Sequence, residues 1–129
     1  MSDVEVVRRI YEAMGARDYD TLFQLIDESA VLTQDDRLPW GGRYEGHQGV
    51  AEFAAALTGS IDSNVDIDAI YEADGEVIQM GHTKGTVVGT DRTFDIPEVH
   101  RWRIKDGKAV AAHFAIDTAA MLEALVGST

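Results

Sequence analysis

The sequence predicts an α+β fold in which a cone-shaped, curved antiparallel β-sheet wraps around N-terminal helices. Two observations predict it. Apolar residues recur at helical spacing in the first half of the chain, and from about residue 65 they alternate with polar residues, as in half-buried strands. Helices followed by an antiparallel meander and a closing helix are typical of α+β proteins. A sheet curled around helices leaves a cavity at its open end, where we expect a small ligand to bind.

Three helices and one short strand are predicted in the first half of the chain. A capping box from Ser2 to Glu5 marks the start of the first helix, because its hydroxyl and carboxylate can each satisfy a free amide. Asp20 is the expected cap of the second helix. In chain order we expect a helix over residues 4–14, a short helix after Asp20, a strand over 30–33, a loop over 34–46 and a helix over 47–57.

At least four antiparallel strands and a closing helix are predicted in the second half. Turn signals at residues 73–76 and 105–107 connect neighbouring strands as hairpins. We expect the whole chain, residues 1–129, to form a single domain. In chain order we expect strands over residues 65–72, 77–90, 93–104 and 108–116, and a helix that begins at Asp117.

Composition limits the function classes. Asp and Glu total 23 against 11 Lys and Arg, a net charge of -12, so nucleic acid and membrane surfaces are not expected partners. The absence of cysteine excludes disulfides, thiolate metal sites and cysteine nucleophiles. The sequence has no recognised metal-ligand spacing and no phosphate-binding glycine loop, so we expect no metal ion and no organic cofactor. We therefore predict a cytoplasmic protein that binds a small, apolar organic ligand.

The strand around residues 98–104 carries the main candidate site. Two arginines are costly to bury unpaired, so Arg101 and Arg103 are expected to face solvent. The alternation then places Glu98, His100 and Trp102 on the concave face. A carboxylate and an imidazole on one strand face form a candidate proton-transfer pair. The alternative is a buried hydrogen bond between them that only fills space.

Two aspartates are candidate general bases. Asp117 lies where the last strand becomes a helix, and a carboxylate there could act at the cavity rim; the alternative is an ordinary helix N-cap. Asp35 lies in the predicted loop over residues 34–46. His113 shares a strand face with Asp117, and Phe114 lies on the opposite, apolar face. The pleat alone leaves open which of these two faces lines the cavity.

Aromatic and histidine side chains complete the predicted pocket. Trp40 lies in the loop over residues 34–46 and is expected to cover the cavity mouth. The alternative is a plug packed on the third helix, and the two are compatible. Trp102 and Phe114 are expected to line the pocket with it. His113 and His82 are further pocket candidates, although a lone histidine on an apolar strand face is more often a satisfied core residue.

Six segments match a known family in their order and spacing: residues 7–14, 17–20, 46–53, 81–89, 99–108 and 117–125. Through them nearly the whole chain resembles the nuclear transport factor 2-like superfamily, in its SnoaL-like or ketosteroid-isomerase-related branch. The resemblance implies a cone-shaped, cystatin-like barrel around a pocket, and an assembly that is often a dimer.

The resemblance also implies an acid–base enzyme of isomerase, polyketide-cyclase or dehydratase type that acts on a small apolar carbonyl compound. In ketosteroid isomerase a carboxylate base works opposite a tyrosine and a protonated aspartate. Those positions correspond here to Gln34, Ile10 and His100, of which only His100 keeps a proton donor; Tyr11 is one residue from the tyrosine position but on a different helix azimuth. The acid–base aspartate of the polyketide cyclases resembles Asp117.

Three hypotheses follow for the function. In the first, Asp117 or Asp35 is the base of an enzyme, and His100 with Glu98 donates to the developing oxyanion. In the second, the same cavity binds a small molecule without catalysis. In the third, the outer sheet face mediates protein interaction. A sheet covered by helices on one side only also predicts a homodimer through that outer face.

Overall fold

The α+β prediction is confirmed by the computed structural model, which describes residues 1–127. The helices and one curved sheet follow the predicted order. In chain order the elements are α1 (Asp3–Ala16), α2 (Tyr19–Leu25), β1 (Ile26–Gln34), β2 (Gly42–Glu45), α3 (Gly46–Ser60), β3 (Ile61–Ala73), β4 (Glu76–Val87), β5 (Thr93–Lys105), β6 (Lys108–Ile116) and α4 (Thr118–Val126).

The sheet has the strand order β2-β1-β6-β5-β4-β3. Strands β3 to β6 form the predicted antiparallel meander, and β2 pairs antiparallel with β1. The pairing of β1 with β6 is parallel, which the sequence did not predict. The elements β2, α3, β3, β4 and β5 lie between these two strands in the chain, so the pair does not form a simple βαβ unit. Local periodicity carries no information on the pairing of strands so far apart in sequence.

Several element boundaries differ from the prediction. The cap of α2 is Asp18 rather than Asp20, because the Asp18 carboxylate accepts bonds from the amide and the hydroxyl of Thr21 at 3.2 and 2.6 Å. The predicted loop over residues 34–46 contains the short strand β2. Strand β3 begins at Ile61 because its first residues pair with the end of β4, a contact that residue alternation does not reveal.

Helix α1 supplies much of the core inside the curved sheet. Val6, Val7 and Ile10 are fully buried there. The backbone of β3 approaches β4 closely at Gly81 and Gly85, where an added Cβ would collide with carbonyl oxygens of β3. These glycines let the two strands bend together around the helices.

None of the helices within residues 1–127 is long and apolar enough to cross a membrane. The cytoplasmic location and the single-domain organisation stay predictions.

Candidate active site

A cavity lies inside the cone, between the inner face of the sheet, the ends of α1 and α3, and α4. Its volume is about 90 Å³. The wall is mostly apolar, and its polar side chains are concentrated on the sheet. The inner wall includes the apolar residues Trp40, Phe53, Phe114 and Met121 and the polar residues Gln34, Thr83, Glu98 and His100.

Strand β5 places its side chains as the arginine argument predicted. Glu98, His100 and Trp102 are buried on the inner face, while Arg101 and Arg103 are exposed on the outer face. Glu98 and His100 border the cavity itself. Trp102 lies behind them and borders a smaller adjoining hollow instead. The predicted direction of the β5 side chains is therefore confirmed, and the catalytic roles of Glu98 and His100 stay predictions.

The hydroxyl of Tyr11 determines the protonation pattern of His100. It lies 2.8 Å from both the indole Nε1 of Trp102 and Nδ1 of His100. Because an indole N–H can only donate, the Tyr11 oxygen accepts that bond and its O–H donates to His100 Nδ1. A neutral His100 then carries its proton on Nε2. Burial raises the pKa of Tyr11 above its ordinary value, which keeps this hydroxyl protonated.

Glu98 is the carboxylate of the cavity. Its Oε2 accepts a 2.5 Å hydrogen bond from Nε2 of Gln79, and its Oε1 lies 3.4 Å from Nε2 of His100. Burial raises the pKa of Glu98 to about 7, although the bond from Gln79 opposes the shift. Burial also lowers the pKa of His100 to about 3, with a smaller contribution from His113, so the imidazole is neutral at pH 7.

Gln79 connects these groups from the neighbouring strand β4. Its side chain is fully buried, and Nε2 also lies 3.3 Å from the Tyr11 hydroxyl. Its Oε1 is a buried side-chain atom without a hydrogen-bond partner in the described part of the chain. An amide can donate through nitrogen to an ionised Glu98, or accept through oxygen from a protonated one after it turns over.

The two predicted bases lie outside the cavity. Asp117 is the N-cap of α4: its Oδ1 accepts a 3.1 Å bond from the amide of Ala120. Asp35 is on the surface and pairs with Arg37 at 2.6 Å, and the hydrogen bonds from Arg37 lower its pKa to about 2. A capping carboxylate is directed at the helix amides, and a solvated one remains a weak base. The cavity geometry does not support either aspartate as the base.

The two histidines predicted for the pocket lie on the outer face of the sheet, which corrects that expectation. On β6 the buried Phe114 faces inward, so the neighbouring His113 faces outward. There its Nδ1 lies 2.7 Å from the Thr33 hydroxyl. His82 lies between the carboxylates of Asp95, at 2.7 Å, and Asp68, at 3.6 Å.

The predicted aromatic lining is partly observed. Trp40 and Phe114 line the cavity, and Trp40 donates a 3.0 Å hydrogen bond to Oε1 of Gln34. Trp40 is buried and borders the cavity, which fits a packed plug that also covers the cavity. Phe114 packs edge-on against the ring of His100 with 4.8 Å between ring centroids.

Sequence reasoning missed Tyr11 and Gln79. The helix azimuth of Tyr11 differs from that of Ile10, yet α1 is buried on a face broad enough to hold both residues. Gln79 pairs directly with His100 across β4 and β5. The alternation of Val77 and Gln79 was the available signal, because it places this glutamine on the buried side of its strand.

Metal ligation finds no support in the part of the chain that the structure describes. Residues 1–127 contain no group of three or more His, Cys, Asp or Glu side chains that could hold a metal ion.

A family model described as SnoaL-like domain matches residues 7–112. No curated protein matches the chain. Three solved structures share the fold over nearly the full length of both chains. The first is a nuclear transport factor 2-like protein of unknown function from Burkholderia pseudomallei, 26% identical, with a TM-score of 0.89 and coverage of 98% of this chain and 100% of that one.

The second is TerC, co-crystallised with polyporic acid, at 22% identity, a TM-score of 0.86 and coverage of 96% and 98%. The third is a candidate SnoaL-like polyketide cyclase from Shewanella putrefaciens, at 18% identity, a TM-score of 0.78 and coverage of 98% of each chain. At 22% and 18% identity, the matches to TerC and to the candidate cyclase show only that the fold is shared.

Proposed function

The chain belongs to the SnoaL-like domain family, and from that premise we propose that it is a cofactor-independent acid–base enzyme of isomerase, polyketide-cyclase or dehydratase type. Its substrate would be a small carbonyl compound whose reacting part is apolar. The observation that carries the proposal is the carboxylate of Glu98, buried at the wall of an apolar cavity beside a neutral histidine.

Glu98 is proposed as the general base in place of Asp117 and Asp35. A base is most effective when its pKa lies near the working pH, and burial raises the pKa of Glu98 to about 7. The carboxylate borders the cavity, so it can reach a proton on a carbon next to a ligand carbonyl. Gln79 holds the other carboxylate oxygen and so orients the group.

His100 is proposed as the donor to the developing oxyanion. Its Nε2–H lies 3.4 Å from Glu98, a long and weak contact, so this N–H is available to a ligand oxygen. A neutral imidazole can donate to an enolate without an initial charge of its own. Tyr11 acts as a positioning residue, because its bond to Nδ1 keeps the proton on Nε2.

The reaction types in the proposal share this first step. Glu98 takes the proton from carbon, and the electron pair moves to the carbonyl oxygen that His100 stabilises. Return of the proton to another carbon is isomerisation, and loss of a β-hydroxyl with that proton is dehydration. Attack of the enolate on a second carbonyl carbon closes a ring.

Proton exchange tests the proposal without knowledge of the natural substrate. The protein is incubated in D₂O with small ketones such as acetone and 2-butanone, and loss of the α-proton signal is followed by NMR. Glu98→Gln and His100→Ala are each expected to slow enzyme-dependent exchange by about 10²-fold or more. Glu12→Gln, on the exposed face of α1, is the matched control and should exchange like the wild type.

A non-catalytic ligand binder is the second candidate, and one observation favours it. One polar atom of each candidate catalytic group is already hydrogen-bonded inside the protein: Oε2 of Glu98 to Gln79, and Nδ1 of His100 to Tyr11. If the wild type exchanges no faster than Glu98→Gln while the ketones bind in the cavity, the enzyme proposal fails and the binder is supported.

A homodimer through the outer sheet face is also proposed. A row of exposed apolar side chains crosses four neighbouring strands in register, and exposed apolar patches of this kind mark interaction surfaces. The row, here named the outer apolar row, consists of Ala69, Met80, Val99 and Ala115.

A further inference from the structure

We propose that Arg17 makes the cavity selective for ligands that carry a carboxylate, so that the substrate is a small carbonyl acid rather than a neutral carbonyl compound. The carbonyl part of this inference rests on the proposed function. The carboxylate part rests on Arg17 and the cavity mouth alone.

Arg17 lies at the mouth of the cavity. The rim is formed where the ends of α1 and α3 meet the start of β3, and its exposed residues include Arg17, Thr58 and Asn64. Among the described residues that line this cavity, Arg17 is the one with a positive charge at neutral pH. Glu98 lies on the buried sheet wall, so the rim carries positive charge and the interior carries a titrating carboxylate.

The guanidinium of Arg17 is oriented by two backbone acceptors and has one carboxylate neighbour, which is exposed to solvent. It donates to the backbone oxygens of Met14 and Ser63 at 2.9 and 3.4 Å, and both acceptors are uncharged. The carboxylate of Asp62 is 3.6 Å away and mostly exposed, so solvent screens this pair. An arginine has five N–H donors, which leaves donors for a carboxylate in the two-pronged geometry that arginine favours.

Arg17 is also the C-cap residue of α1, which fixes the place of its side chain at the cavity mouth. Arg17 ends α1 in the left-handed conformation with φ 56°, where glycine is the usual residue. Its backbone N–H bonds to carbonyls of the last helical turn, a role that glycine would fill without the cost of a side chain. The side chain also donates to the Met14 carbonyl of that turn, so the helix end accounts for one of its contacts, while the guanidinium still borders the cavity.

Cavity size places the far end of a ligand beside Arg17. The enclosed volume of about 90 Å³ is smaller than an engineered apolar cavity of ~150 Å³ that accommodates benzene. A short chain would thus fill the interior, and the rest of the ligand would remain at the rim. Ionised Glu98 repels an anion inside and Arg17 attracts one at the mouth, so a carbonyl acid enters with its carbonyl first.

A matched pair of probes tests the inference by binding alone. Levulinate and its neutral methyl ester have the same ketone, and their affinities for the ¹⁵N-labelled protein are measured by NMR titration at low ionic strength. Wild type is expected to bind levulinate roughly 10-fold more tightly than the ester. Added salt should reduce that preference and leave ester binding unchanged. Equal affinities in the wild type would overturn the inference.

Substitutions of Arg17 test whether this residue causes the tighter binding of levulinate. Arg17→Gln should remove the preference for levulinate without weakening the ester, and Arg17→Lys should retain part of it. Arg8→Gln is the matched control, since it removes the same charge from an exposed position on α1. Equal weakening of both probes by Arg17→Gln, or the same effect from Arg8→Gln, would contradict the inference. If Arg17→Gln does not fold, the wild-type pair and its salt dependence decide.

The outcomes separate this inference from the proposed function. Preference for levulinate without proton exchange on either probe supports the role of Arg17 and counts against Glu98 as base. Proton exchange on both probes with equal binding affinities supports Glu98 as the base and counts against the role of Arg17 in selectivity.

Discussion

The burial of Glu98 affects both the proposed chemistry of the site and the stability of the folded protein. Its carboxylate is buried on the inner face of β5, and its one close hydrogen bond comes from Gln79. The desolvation that raises its pKa to about 7 also makes the ionised form costly to the folded state. The same burial that would create a base near neutral pH should therefore reduce stability at neutral pH.

The stability of Glu98→Gln relative to wild type is expected to depend on pH. The pKa of Glu98 rises from 4.5 to about 7 on folding, so between these values the folded state keeps a proton that the unfolded state has released. The stabilisation is complete below pH 4.5 and is lost as the pH rises through 7. Glutamine does not titrate, so the variant should gain roughly 3 kcal/mol of unfolding free energy over wild type across this range.

Urea unfolding at pH 4.5, 6 and 8 measures this difference. His100 contributes an opposite pH dependence, because its pKa falls on folding, but it is present in both proteins and largely cancels. A difference in unfolding free energy that stays constant with pH would mean that Glu98 titrates normally in the folded protein.

At the scale of elements, α4 closes the cavity from the C-terminal side of the sheet. Its Met121 is fully buried and borders the cavity, and Asp117 caps its first turn. Arg92 donates to the carbonyl oxygens of Ala124 and Leu125, in the last turn of α4, at 3.1 and 2.8 Å. Both ends of this helix are thus held by side chains, and in that arrangement Asp117 is structural.

Two substitutions of Asp117 separate a cap from a base. Asp117→Ala removes the capping acceptor and should lower the unfolding free energy by about 1 kcal/mol, whereas Asp117→Asn keeps an acceptor and should change it little. Both variants should retain the ketone exchange rate of the wild type, measured under conditions where they are folded. A stable Asp117→Asn that loses exchange would restore Asp117 as the base and contradict the assignment to Glu98.

At the scale of the whole molecule, the two faces of the sheet have different chemistry. The inner face carries the core and the cavity, while the outer face carries the outer apolar row between polar positions such as Arg101 and His82. Met80 and Val99 of this row are 42% and 39% exposed, and adjacent exposed apolar residues on one sheet face are typical of an interaction surface.

The proposed homodimer predicts a mass of about twice 14.1 kDa by light scattering at micromolar concentration. Met80→Glu places a charge in the centre of the outer apolar row and should shift the mass to that of a monomer. Val88→Glu, at an exposed apolar position in the turn after β4, is the matched control and should remain dimeric. A wild-type mass near 14.1 kDa would reject the dimer.

The sequence by itself determined the order of the elements and the two faces of β5. Both depend on local physics: the period of the apolar residues distinguishes helix from strand, and the cost of burying Arg101 and Arg103 orients the alternation. Glu98 and His100 could therefore be assigned to the cavity side from residue alternation alone.

Only the tertiary structure decided how the site is built. The bonds that join Tyr11 to His100 and to Gln79 connect residues 89 and 68 positions apart, and they require a helix azimuth and a sheet curvature that no local pattern specifies. The parallel pairing of β1 with β6 is equally non-local. The sequence makes Asp117 a candidate base because a strand is predicted to end there, at the rim of the cavity. In the structure its carboxylate points to the amide of Ala120, and this direction assigns it to the helix cap.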